Sequence, residues 1–83
     1  MNKLTVTRRV VAAIGGQQTL ASLCGVSQQS VSYWVKRNEI PVNRILHIES
    51  LLVGVGADID RHDMRPDVYG VRSEHKSTAT QSA

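Results

Sequence analysis

The 83-residue chain contains no phenylalanine, one cysteine, two prolines and three aromatic rings, Tyr33, Trp34 and Tyr69. A core so short of rings must be filled by Leu, Val, Ile and Ala, which suits packed helices. The single cysteine, Cys24, excludes an internal disulfide and any zinc site built from several thiolates. The longest apolar run is Val10-Val11-Ala12-Ala13-Ile14, far too short for a membrane span or a signal-peptide core. The expected compartment is therefore the cytoplasm, with no membrane partner. No acid, base and nucleophile set occurs in any frame, so the chain does not read as an enzyme, and no cofactor or metal is expected. Asp58-x-Asp60-x-x-Asp63 lacks the central Gly and terminal Glu of a calcium loop and reads as helix capping. His47, His62 and His75 are scattered. A chain of this length makes one small domain, burying only about 60% of its extended surface.

Charge is unevenly placed. The net charge is +3. Residues 1–40 carry Lys3, Arg8, Arg9, Lys36 and Arg37 against Glu39 alone, whereas residues 41–83 carry five cations against six anions. A basic front half attracts polyanions, of which nucleic acid is the usual one, although a solvated basic face explains the same charge.

Gly15-Gly16, Gly25, Pro41, Gly54/Gly56 and Pro66 cut the chain into short segments. Order is expected over residues 1–70. Residues 71–83 hold almost nothing to bury and read as a disordered tail. About Thr7 to Ile14 forms a helix with Val10, Val11, Ala13 and Ile14 on one side; the alternation in Leu4-Thr5-Val6-Thr7 leaves its start open. Gln17 to Cys24 carries Leu20, Ala21 and Cys24 at i, i+1 and i+4 and stops at Gly25. Ser27 is a natural N-cap for the next helix, with Val26 and Val31 at the two positions of a hydrophobic staple. That helix puts Val31, Trp34 and Val35 on one face and Gln28, Gln29, Ser32, Tyr33 and Lys36 on the other. Lys36 and Arg37 lie in its last turn, where the dipole favours cations. After the Ile40-Pro41 step, a helix entered at Pro41 or Asn43 carries the core stripe Ile45, Ile48 and Leu52 and ends at Gly54. Asp60 and Asp63 have the spacing of a capping box for a last short helix closed by Pro66.

The second and third segments describe a helix-turn-helix. Ala21 is the small residue where the helices cross closely, and Gly25, four positions later, admits the positive φ of the turn. Leu20, Cys24, Val26, Val31 and Trp34 plug the angle between the helices. These seven positions fall in one 18-residue frame starting at Gln17. Cys24 is accordingly a small hydrophobe and not a nucleophile, and Trp34 is core and not a base-stacking ring. The amide-rich face of the helix beyond Ser27 suits base edges, because Gln donates and accepts at once and can bond adenine N6 and N7 together in the major groove.

These residues resemble the phage repressor and Cro-like family, specifically its small YdaS-like antitoxin/Cro branch. The likeness rests on Gly15-Gly16-Gln17, Leu20-Ala21, Gly25-Val26-Ser27, Val31-Ser32, Trp34, Ile40-Pro41, Ile48-Glu49 and Arg65-Pro66-Asp67-Val68-Tyr69. It implies an all-α, compact four- to five-helix domain that binds double-stranded operator DNA as a homodimer and represses transcription. It further implies base contacts from Gln28, Gln29, Ser32 and Tyr33, and phosphate contacts from Gln17, Ser27, Lys36, Arg37 and Asn38, with Gln18 and Ser30 borderline. The alternative is an antitoxin-type interaction module whose task is to mask a toxin or regulatory protein partner, with the tail folding on it. Leu23 departs from the general repressor pattern, which tolerates a polar residue there.

Overall fold

A computed structural model describes residues 5–71 of the chain. Residues 1–4, Lys3 and Leu4 among them, and all of the expected tail except Val71 lie outside the described residues. Six helices follow one another: α1 (Val6–Ile14), α2 (Gln17–Cys24), α3 (Gln28–Arg37), α4 (Val42–Gly54), α5 (Arg61–Met64) and α6 (Pro66–Tyr69). No strand occurs among the described residues. The expected all-α bundle is present, and its last short helix is divided in two. Pro66 terminates α5 and also opens α6, because its missing N–H and fixed φ suit the first helical position.

Helix ends follow local chemistry. The open start of α1 is settled at Val6, with the Thr5 hydroxyl accepting from the Arg8 N–H at 3.2 Å. Ser27 caps α3 by accepting from the Ser30 N–H at 3.1 Å. Asp60 accepts from the N–H groups of His62 and Asp63, and the Asp63 carboxylate accepts from the Asp60 N–H at 3.1 Å, completing the capping box. Between α2 and α3, Gly25 takes φ 70°, a left-handed conformation that costs any residue with a Cβ about 1–2 kcal/mol.

The core lies where α1, α2, α3 and α4 converge. Val10, Leu20, Val31, Ile40, Ile45, Ile48 and Leu52 are fully buried, and Ala21, Cys24 and Trp34 nearly so. Each fully buried Val, Leu or Ile contributes roughly 1.5–3 kcal/mol relative to exposure. Val26, Val11 and Ala13 pack at the margin, while Ile59 and Met64 close the core from beyond α4. Burial also raises the Cys24 thiol above its ordinary pKa, which the nearby Arg44 cation partly offsets. The thiol is thus held protonated as a packing group.

Two charged side chains tie the short helices down. Arg65 donates to the Ile40 carbonyl at 2.8 Å and to both oxygens of Asp67 at 3.0 and 2.7 Å. This fork lowers the Asp67 pKa and raises that of Arg65. Glu49 accepts from the Arg61 backbone N–H at 2.9 Å and pairs with its guanidinium at 3.1 Å, so α4 supports the first turn of α5.

Candidate nucleic-acid interface

The sequence of α3 sorts its side chains into two faces. Val31, Trp34 and Val35 are buried, and the first two join the core. Gln28, Gln29, Tyr33, Lys36 and Arg37 are exposed, with Ser30 and Ser32 half-buried beside them. α2 supplies the packing surface behind α3, with Leu20, Ala21 and Cys24 in one core cluster with Val31 and Trp34. No acidic residue lies in the first turn of α3, and both cations of its last turn point along the dipole's negative end. The face is therefore amide-rich at its start and basic at its end.

Of the residues expected to meet bases, Gln28, Gln29 and Tyr33 share this exposed face and Ser32 lies at its edge. Tyr33, 58% exposed, is coupled to Arg37 one turn on: the guanidinium donates to the phenol oxygen at 3.2 Å and sits 5.3 Å from the ring centroid. Glu39 lies 3.8 Å from the Arg37 Nε. The two side chains are thus partly ordered before any ligand arrives. Sequence reasoning assigned them separate roles, although their i, i+4 spacing was the available signal.

The residues expected at phosphates are more varied. Lys36 and Arg37 are exposed at the C-terminal end of α3, while Gln17, the first residue of α2, is half-buried. The Ser27 hydroxyl is engaged at the α3 cap and lies 3.2 Å from the Ser30 hydroxyl. Asn38 takes the left-handed conformation, φ 51° and ψ 48°, that ends α3. Its side-chain oxygen accepts from both the N–H and the hydroxyl of Thr7, at 3.2 and 2.9 Å. The residue that ends α3 therefore also satisfies a first-turn N–H of α1, and its side-chain oxygen is engaged within the fold.

Sequence reading also missed the support behind α2. Arg44 donates to the Cys24 carbonyl at 3.2 Å, and His47 Nε2 lies 3.1 Å from the Leu23 carbonyl. Both side chains rise from α4 onto the carbonyl end of α2, where cations and donors are favoured. Leu23 itself is 48% exposed and is not part of the core. Among the described residues, no group of three or more His, Cys, Asp or Glu could hold a metal ion, and no helix is long and apolar enough to cross a membrane.

Comparison with known proteins gives two matches. Residues 7–73 match the family described as "Bacterial toxin YdaS". The chain is 34% identical over 62 residues to a protein of Escherichia coli (strain K12) named "Putative transcriptional regulator YdaS". That alignment covers 74% of this chain and 60% of the relative, so the chain spans somewhat less than two thirds of the relative's length. No solved structure gives a significant match.

Proposed function

This chain belongs to the family of the bacterial toxin YdaS, and on that premise we propose that it is a DNA-binding transcriptional regulator that reads double-stranded operator DNA with α3. The observation that supports this reading is the outer face of α3, where Gln28, Gln29 and Tyr33 stand exposed ahead of Lys36 and Arg37. In the major groove every base pair shows a distinct pattern of donors and acceptors, and side-chain amides match adenine in particular. The cations at the end of the helix, with Gln17, Ser27 and Asn38 at the helix termini, supply the phosphate contacts that fix register. One recognition helix reads one half-site. Two copies about 34 Å apart, one turn of DNA, read a palindrome, so the chain acts as a homodimer on its operator. Occupying an operator excludes other proteins from it, and the regulation is repression. None of these steps calls for a bond-making centre, and the protein is not an enzyme.

The family description also names a toxin, and an antitoxin-type module that masks a protein partner is the second reading. Protein masking does not call for a supported helix face of amides ending in cations, and that face is the reason the regulator is preferred.

Fluorescence anisotropy with a duplex selected from random sequence, compared with scrambled duplexes, tests the proposal. Gln28→Ala or Gln29→Ala should cost about 1–3 kcal/mol on the selected duplex and little on scrambled ones. Lys36→Ala should weaken all duplexes alike and reduce the salt slope by about one. Equal wild-type affinity for selected and scrambled duplexes would overturn the reading, as would loss of discrimination in none of the glutamine variants.

A further inference from the structure

Tyr33 and Arg37 form a unit on the outer face of α3 that presents hydrogen-bond donors. Tyr33 is 58% exposed. The Arg37 Nη1 donates to its phenol oxygen at 3.2 Å, and the guanidinium carbon lies 5.3 Å from the ring centroid. A phenol oxygen carries one hydrogen and accepts at its lone pairs. With the guanidinium on the lone-pair side, the O–H hydrogen is what remains to face a ligand, and a second donor approaching the oxygen meets the cation. The Glu39 carboxylate lies 3.8 Å from the Arg37 Nε and 3.8 Å from the Arg65 Nη2. It is shared between two cations and does not cancel the charge beside the phenol. Tyr33 follows Gln29 by four residues, so it stands about 6 Å further along α3 and about 40° around it. The two residues therefore lie on one line of the helix, roughly two base-pair steps apart.

We propose that Tyr33 reads guanine in the major groove through its hydroxyl hydrogen, with Arg37 as the positioning residue that makes the phenol a donor. The proposal rests on the regulator reading, in which α3 meets the bases, and it names the base that this turn of the helix selects. Guanine alone among the four bases shows two acceptors, N7 and O6, and no donor in the major groove. Adenine sets its N6 amino group beside its one acceptor, and cytosine offers only its N4 amino group, so both bring a donor towards the cation-bound oxygen. Thymine has a single acceptor with a methyl group next to it. The glutamines differ, because an amide donates and accepts at once and matches adenine. A guanidinium carries five N–H groups and the phenol takes one, so Arg37 keeps donors for a phosphate.

Selection of bound duplexes from random sequence by the full chain, run in parallel for wild type, Tyr33→Phe and Arg37→Met, tests this. Both residues are exposed, and circular dichroism checks the fold of each variant. Wild type should select a guanine whose replacement by adenine weakens binding about tenfold. In both variants that ratio should fall to about twofold or less, with the preferences set by Gln28 and Gln29 unchanged. Arg37→Met should also weaken every duplex through the lost phosphate contact, a loss that leaves the guanine-to-adenine ratio untouched. Selection of any base other than guanine at the Tyr33-dependent position would overturn the proposal, as would an unchanged ratio in either variant. A Tyr33→Phe protein that loses the same affinity on all duplexes would place the phenol on a phosphate and overturn it too. Each of these results leaves the regulator reading standing, whereas wild type that selects no sequence would defeat both.

Discussion

Replacing Asn38 separates the structural work of this residue from any contact with DNA. The wild-type side chain accepts two hydrogen bonds from Thr7, one of them from a hydroxyl on a residue only 1% exposed. Each such bond contributes about 0.5–1.5 kcal/mol. The left-handed backbone adds about 1 kcal/mol for an alanine and essentially nothing for a glycine. Asn38→Ala should therefore destabilise the fold by about 2–4 kcal/mol, and Asn38→Gly by about 1–3 kcal/mol. In Asn38→Asp the acceptor survives, and its negative charge sits at the positive end of the α1 dipole, so stability should stay within about 1 kcal/mol of wild type. A domain of this size is stable by roughly 4–12 kcal/mol, so the alanine variant loses a large share. Urea denaturation followed by circular dichroism gives the energies. In thermal melts each kcal/mol corresponds to about 4–8 °C. Thr7→Val combined with Asn38→Gly should lose less than the two single changes together, since both remove the same bond. Equal stability of wild type and Asn38→Gly, or an alanine variant no worse than the glycine variant, would refute the reasoning. A stable Asn38→Asp protein with weakened duplex binding would add the expected phosphate contact to the structural role.

Gly25→Ala should cost about 1–2 kcal/mol in chemical denaturation, through its φ of 70° and not through a clash, because a Cβ there meets open space; an unchanged midpoint would contradict this. Ile45→Ala, at the fully buried centre of α4, should cost about 2–5 kcal/mol, and a loss under 1 kcal/mol would show the core placed wrongly. The Asp67 carboxyl is held below its ordinary pKa, first by the hydrogen bond from Arg65. Its contribution is therefore fully present above the ordinary aspartate value and disappears as pH falls through the depressed one. Asp67→Asn should flatten that part of the acid-denaturation curve, and parallel curves for variant and wild type would rule the coupling out.

Most of α2 and α3 was readable in advance because their signals are local. Ser27 caps three residues ahead, Gly25 supplies the turn, and the spacing of Val31, Trp34 and Val35 fixes which face of α3 turns inward. With that face buried, exposure of Gln28, Gln29, Lys36 and Arg37 follows from 3.6 residues per turn. Pro66 was harder, since proline both stops a helix and starts one, and only the chain direction beyond it distinguishes the two. The core contributions of Ile59 and Met64 carried no periodic signal, coming from a loop and a four-residue helix.

The amino-acid order alone determined that this protein is helical, where α2 and α3 begin and end, and which side of the longer helices is apolar, because caps, glycines and helical periodicity act within about one turn. Folding decided the longer-range partnerships. Asn38 reaches 31 residues back to Thr7, Arg44 reaches 20 residues back to Cys24, and Arg65 reaches 25 residues back to Ile40. A side-chain donor or acceptor does not encode which distant backbone group it will meet; that is set only when packing of the apolar faces brings the helix ends together.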